Sequence, residues 1–124
     1  MSSKEDGVRA AIAGVAATAL TITLAMAAAR LAPAEIQTTF FNGQPFTAST
    51  PQKTKFKMVF TADGHVTREP VGKSGAKGEG SWKLSKEGFC TTWKGGQPNC
   101  YVLLGGTNKW SVMKGTTVMA IWTK

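Results

Sequence analysis

Gly78-Glu79-Gly80-Ser81-Trp82-Lys83-Leu84, then Phe89-Cys90-Thr91-Thr92-Trp93, then Asn99-Cys100-Tyr101: these three runs decide how the chain folds. Between Gly78 and Tyr101 lie both cysteines, two of the four tryptophans, and glycines placed where a β meander turns its corners. Ser81 to Leu84 alternates polar and apolar residues. Phe89 to Trp93 and Asn99 to Leu104 flank the turn Lys94-Gly-Gly-Gln-Pro98, and pairing them as a hairpin brings Cys90 within bonding reach of Cys100. A disulfide is the expected state of the pair, worth about 2.5–3 kcal/mol in the chain-entropy model. Buried free thiols are the alternative. Two cysteines cannot build a zinc site alone, and the only histidine, His65, is far away in sequence. A disulfide in turn implies an oxidising compartment, the periplasm or the exterior.

Outward from this stretch the period stays at two. Lys55 to Phe60 puts Phe56, Met58 and Phe60 on one face with lysines opposite. Asp63-Gly64 predicts a type I′ turn, His65 to Glu69 returns, and Pro70 to Lys77 reads as a flexible loop. Beyond Tyr101, Gly105 to Asn108 turns into Lys109–Met113, and Lys114-Gly115 turns into Thr116–Trp122. Seven or eight short strands joined by turns predict an all-β antiparallel meander over residues 46–124. It closes as a small barrel or stays a twisted, half-open sheet. Val118 to Ile121 is apolar on both faces, which predicts a central or covered last strand. Aromatic residues recur about once per strand, and core packing is their simplest use. Trp82, Trp93, Tyr101 and Trp110 are the candidates for lining a ligand mouth or an interface.

Upstream, residues 35–45 read as a linker punctuated by Gly43 and Pro45, just after Pro33. Glu35 to Phe41 suits a short helix or an extended lead-in, with Phe40-Phe41 as an apolar plug before the Asn42-Gly43 turn. Residues 10–29 carry no charge, and twenty residues of helix would just span a bilayer. Ala10, Gly14, Leu20, Ile22, Leu24 and Met26 fall in this segment. Its alanines and threonines make insertion marginal, and Leu20 to Met26 has the length of a signal-peptide apolar region, with a small-residue cleavage pattern at Ala32-Pro33-Ala34. Residues 1–34 are therefore expected to be a cleaved signal peptide or a retained signal-anchor helix. Glu5, Asp6 and Arg30 depart from a routine signal. In either case Lys4 and Arg9 outweigh Arg30, which puts the folded domain outside the cytoplasm: periplasmic, secreted, or tethered to the inner membrane.

The formal charge is +8, and from Leu31 onward 12 Lys and Arg against 5 Asp and Glu leave +7. The lysines are scattered along strands and loops, and no helix-turn-helix, zinc-finger or RNA-binding pattern accompanies them, so a nucleic-acid partner is not expected. Catalytic chemistry finds no constellation. Asp63 and His65 are hairpin residues, Glu69 and Glu79 have Lys73 and Lys77 nearby, and Ser74 and Ser81 have no base at a readable spacing. Gly72-Lys73-Ser74-Gly75 lacks the glycine spacing and strand-to-helix setting of a phosphate loop. No catalytic residue, metal or cofactor is expected.

Asn42-Gly43, Phe46-Thr47, Asp63-Gly64, Gly78, Gly80, Trp82, Cys90, Trp93, Cys100 and Tyr101 occur in an order that resembles a group of short secreted proteobacterial proteins forming a domain family of unknown function. The resemblance runs from about Ile36 to Lys124. It implies export and a barrel of lipocalin-like appearance, and it implies no activity. Two functional expectations follow. The first is a non-catalytic envelope domain acting through contacts with proteins or the envelope, in tethered form as an accessory subunit of a larger membrane complex. The second is a lipocalin-like binder of a small apolar ligand.

Overall fold

The computed structural model describes residues 30–124. The segment 10–29, with Ala10, Gly14, Leu20, Ile22, Leu24 and Met26, lies outside the described residues. A short helix, α1 (Pro33–Phe40), precedes eight strands: β1 (Phe46–Ser49), β2 (Lys55–Phe60), β3 (His65–Pro70), β4 (Gly78–Leu84), β5 (Phe89–Trp93), β6 (Asn99–Gly105), β7 (Lys109–Lys114) and β8 (Thr117–Thr123). Each strand pairs antiparallel with the next, and β1 pairs with β8 to close the barrel. The all-β meander expected from the period of two is thus a closed eight-stranded barrel.

Alternation decides which side chains enter the barrel. Phe56, Met58 and Phe60 of β2 are buried while Lys55 and Lys57 are exposed. Across the ladder Phe60 faces Val66, which is fully buried. An eight-stranded barrel is just wide enough for its own side chains to fill. Here part of the filling comes from α1. Ile36, Phe40 and Phe41 are at most 1% exposed, so the stretch read as a joint carries three of the most deeply buried side chains. Phe40 makes edge-on contacts with Phe46, Trp110 and Trp122, at centroid distances of 5.0, 4.9 and 5.0 Å. Phe41 stacks on Phe60 at 4.3 Å and tilts against Trp82 at 4.5 Å. The helix therefore stoppers one end of the barrel.

Local chemistry sets the stopper in place. Pro33 suits the first helical turn, and the Ala32 amide donates to Glu35 Oε1 at 3.1 Å. At the other end Phe41 N–H donates to Gln37 O, and Lys124 Nζ donates to Thr39 O, a cation where the helix dipole favours one. Gly43, with φ +85°, turns the chain into β1 while its N–H donates to Phe60 O at 2.8 Å. On the N-terminal side, Leu31 N–H donates to Leu103 O at 2.9 Å and Arg30 bridges Leu104. This pairing uses the part of β6 that β5 leaves free, because the β5–β6 ladder covers only Phe89–Thr91 against Asn99–Tyr101.

One turn differs in type from expectation. In the Thr61–His65 turn only Gly64 has positive φ (+95°), and Gly64 N–H donates to Thr61 O. A type I′ turn needs two left-handed residues, so this connection is instead a turn closed by one left-handed glycine. Strand β8 is central, between β7 and β1, as one reading of its apolar run expected; Val118 on its outer face and Met119 at the ladder irregularity are each 40% exposed.

Candidate functional site

With α1 at one end, the opposite end of the barrel is open. There the inner faces of the strands enclose a cavity of about 180 Å³. Its floor is apolar, formed by Met58, Phe60, Phe89, Val112 and Trp122. Its mouth carries Thr91, Tyr101, Phe56, Trp93 and Arg68.

Parity along the strands puts each of these groups inside. Thr91 lies between Phe89 and Trp93 in alternation and is only 4% exposed, a buried hydroxyl among rings. Tyr101 is directly opposite Phe89 in the ladder, and their rings lie 5.5 Å apart. Burial raises the Tyr101 phenol above its ordinary pKa, with a hydrogen bond to the Thr91 hydroxyl opposing in part. Arg68 follows Val66 by two residues on β3 and shares its inward face. Its guanidinium carbon lies 4.6 Å from the Trp93 ring centroid and 5.3 Å from that of Phe56. The Nε atom is buried without a hydrogen-bond partner. Among the described residues the side-chain carboxylates are engaged elsewhere: Glu69 with Lys77, Glu79 with Lys94, Glu87 with Arg30, Asp63 with His65, and Glu35 with the Ala32 amide.

The glycines of β4 shape this arrangement. A Cβ at Gly78 would come 2.8 Å from Arg68 Nε and 3.4 Å from the Trp93 ring, so the absent side chain leaves room for the guanidinium. Arg68, Gly78 and Trp93 also wall a larger hollow of about 690 Å³, whose remaining lining includes Lys57, Glu69, Lys77, Glu79 and Lys94. In the loop after β3, Gly75 (φ +96°) sits against Phe56, where a Cβ would come 2.9 Å from the ring.

The four aromatic candidates divide between the two ends. Trp93 and Tyr101 stand at the open mouth. Trp82 and Trp110 stand at the stoppered end, where Trp82 packs on Phe41 and donates its indole N–H to Thr61 O at 2.8 Å, and Trp110 packs on Phe40. Cys90 is directly opposite Cys100, with Cα atoms 3.9 Å apart and sulfurs at bonding distance. The pair alternates with inward Phe89 and Tyr101 and so lies on the outer face of the barrel, away from the cavity. Glu69 meets Lys77 as expected, whereas Glu79 meets Lys94. Asp63 accepts a hydrogen bond from Thr61 Oγ1 and lies 3.2 Å from His65 Nδ1, and these contacts lower its pKa.

Arg68 and Thr91 were not among the residues singled out by sequence. The signal was present in the alternation. Counting by twos from Val66 reaches Arg68, and counting by twos from Phe89 reaches Thr91. A charged residue on an inward register is the informative exception to an apolar face. No family model matches the chain, and no curated protein or solved structure matches it.

Proposed function

We propose that the domain is a non-catalytic binding module of an oxidising envelope compartment, and that its open mouth receives a small apolar ligand. The observation that carries this reading is the 180 Å³ cavity opposite the helical stopper, apolar below and polar only at its rim. A cavity of about 150 Å³ lined by apolar side chains holds a benzene ring, so the space suits one ring or a short branched chain rather than a long lipid. Support for binding rather than catalysis comes from the carboxylates, which face solvent, four of them pairing with lysine, arginine or histidine and Glu35 capping the helix. The facing cysteines support the oxidising compartment. Placement in the periplasm, free or tethered through residues 10–29, rests on the sequence alone.

Titrating the protein with benzyl alcohol while following indole emission tests the reading. A saturable shift that shrinks in Trp93→Phe, leaving only the part reported by Trp122 on the cavity floor, is expected. A response that never saturates, or that survives that substitution unchanged, would count against a ligand mouth. A second reading, docking on another envelope protein or a larger membrane complex, is favoured by Val118 and Met119. Both are 40% exposed, and Met119 also borders the cavity. Loss of co-purifying envelope proteins in Val118→Lys, with benzyl alcohol binding retained, would select it.

A further inference from the structure

The apolar cavity leaves one group unexplained, and that group is charged. Arg68 as a whole is half-buried, but its Nε is shut away from water with no acceptor, which costs roughly 1–3 kcal/mol for that one group. Contacts with Trp93 and Phe56 offset part of this cost, since each cation–π contact contributes about 0.5–2 kcal/mol. They do so through the face of the guanidinium. Its N–H donors project in its plane, where no protein acceptor meets the buried Nε. Glycine at position 78 makes the room in which the guanidinium lies against β4.

We propose that the mouth recognises small monocarboxylates, with a compact apolar body in the cavity and the carboxylate on the Arg68 guanidinium. This rests on the reading of the mouth as a ligand site. The planar fork of arginine matches the two oxygens of a carboxylate and binds them in its own plane. Thr91 and Tyr101 border the same cavity and supply hydroxyl donors beside the acid. One positive charge serves a monoanion. A phosphate dianion calls for more, and of the three lysines of the adjoining hollow two are paired outside, Lys77 with Glu69 and Lys94 with Glu79, while Lys57 lies on the outward face of β2. The volume restricts the body to about one ring.

Calorimetry on the full chain at pH 7 with benzoate, phenyl phosphate and benzyl alcohol tests this. Benzoate is expected to bind about tenfold or more tighter than benzyl alcohol, the value of one charge-assisted hydrogen-bonded pair, and tighter than phenyl phosphate. Arg68→Gln should remove the preference for benzoate over benzyl alcohol. Gly78→Ala, which keeps the arginine but crowds its Nε, should weaken benzoate in the same direction and serves if Arg68→Gln fails to fold. Equal binding of benzoate and benzyl alcohol would overturn the carboxylate assignment while sparing the ligand mouth. Tighter binding of phenyl phosphate, or a benzoate preference that persists in both variants, would overturn it too. Failure of all three compounds to bind would overturn the ligand mouth itself.

Discussion

Gly80 holds β4 so close to β5 that the Thr92 carbonyl oxygen occupies the space a methyl group at position 80 would need. The obstruction is backbone rather than a flexible side chain, so only movement of a strand relieves it. Gly80→Ala is therefore expected to cost about 3 kcal/mol or more, the upper end for overpacking a filled interior. Gly72→Ala, in the loop after β3, meets nothing within 4 Å and should be neutral or stabilise by up to about 1 kcal/mol. Urea unfolding of the two variants checks both. Equal midpoints would show that the Gly80 approach is not a constraint on the fold.

The ladder between β5 and β6 pairs three residues on each strand, one of them the Cys90–Cys100 pair. Reducing the disulfide frees a ten-residue separation in the unfolded chain, and the chain-entropy model gives a loss of about 2.5–3 kcal/mol. For a domain of this size that corresponds to a fall in Tm of roughly 10–20 °C. Calorimetric scans with and without reductant measure it. Amide exchange should rise first at Thr91, Asn99 and Tyr101, which flank the close, non-hydrogen-bonded cysteine pair in this three-pair seam.

Phe41 is stacked on Phe60 and touches Trp82, Phe89 and Trp122, so it joins the helix to the floor of the barrel. Truncation to alanine should cost about 3–5 kcal/mol. Thr38→Ala, about one turn away on an exposed helical position, should cost less than about 1 kcal/mol. Denaturant midpoints compare them, and similar losses for the two would show that the helix does not stopper the barrel.

Tyr101 is the sole tyrosine of the chain, so tyrosinate absorbance reports on it alone. Burial raises its pKa above the ordinary value of 10.0, and the folded protein therefore holds the phenolic proton more firmly than the unfolded chain does. The associated stability is fully present below about pH 10 and is lost as pH climbs through the folded pKa. A spectrophotometric titration should show a midpoint above 10 in the folded state that drops towards 10 in denaturant. A folded midpoint at or below the unfolded one would contradict the packing assigned to Tyr101.

Much of the barrel was legible because alternation and turn chemistry are local. Lys55 to Phe60 and Phe89 to Trp93 form strands with the bounds their patterns suggest, and Cys90 pairs with Cys100 across the expected hairpin. Closure was not legible, since β1 and β8 are remote in sequence and nothing in Thr47 or Thr123 announces that they pair. The division of aromatic residues between two ends was also hidden. Trp82 and Trp93 look alike in sequence, and only the position of α1 assigns one to the stopper and the other to the mouth. The Asp63-Gly64 turn was recognisable as a turn but not as its type, because Asp-Gly suits both forms.

The account depends on the open end of the barrel, opposite α1, being where a ligand enters. Nitrogen–proton correlation spectra of the full chain resolve its four indole N–H signals, and adding benzyl alcohol tests the point directly. The Trp93 indole signal should move in a saturable way while those of Trp82 and Trp110, packed against the stopper, stay in place. Movement of Trp82 or Trp110 with Trp93 stationary would contradict it.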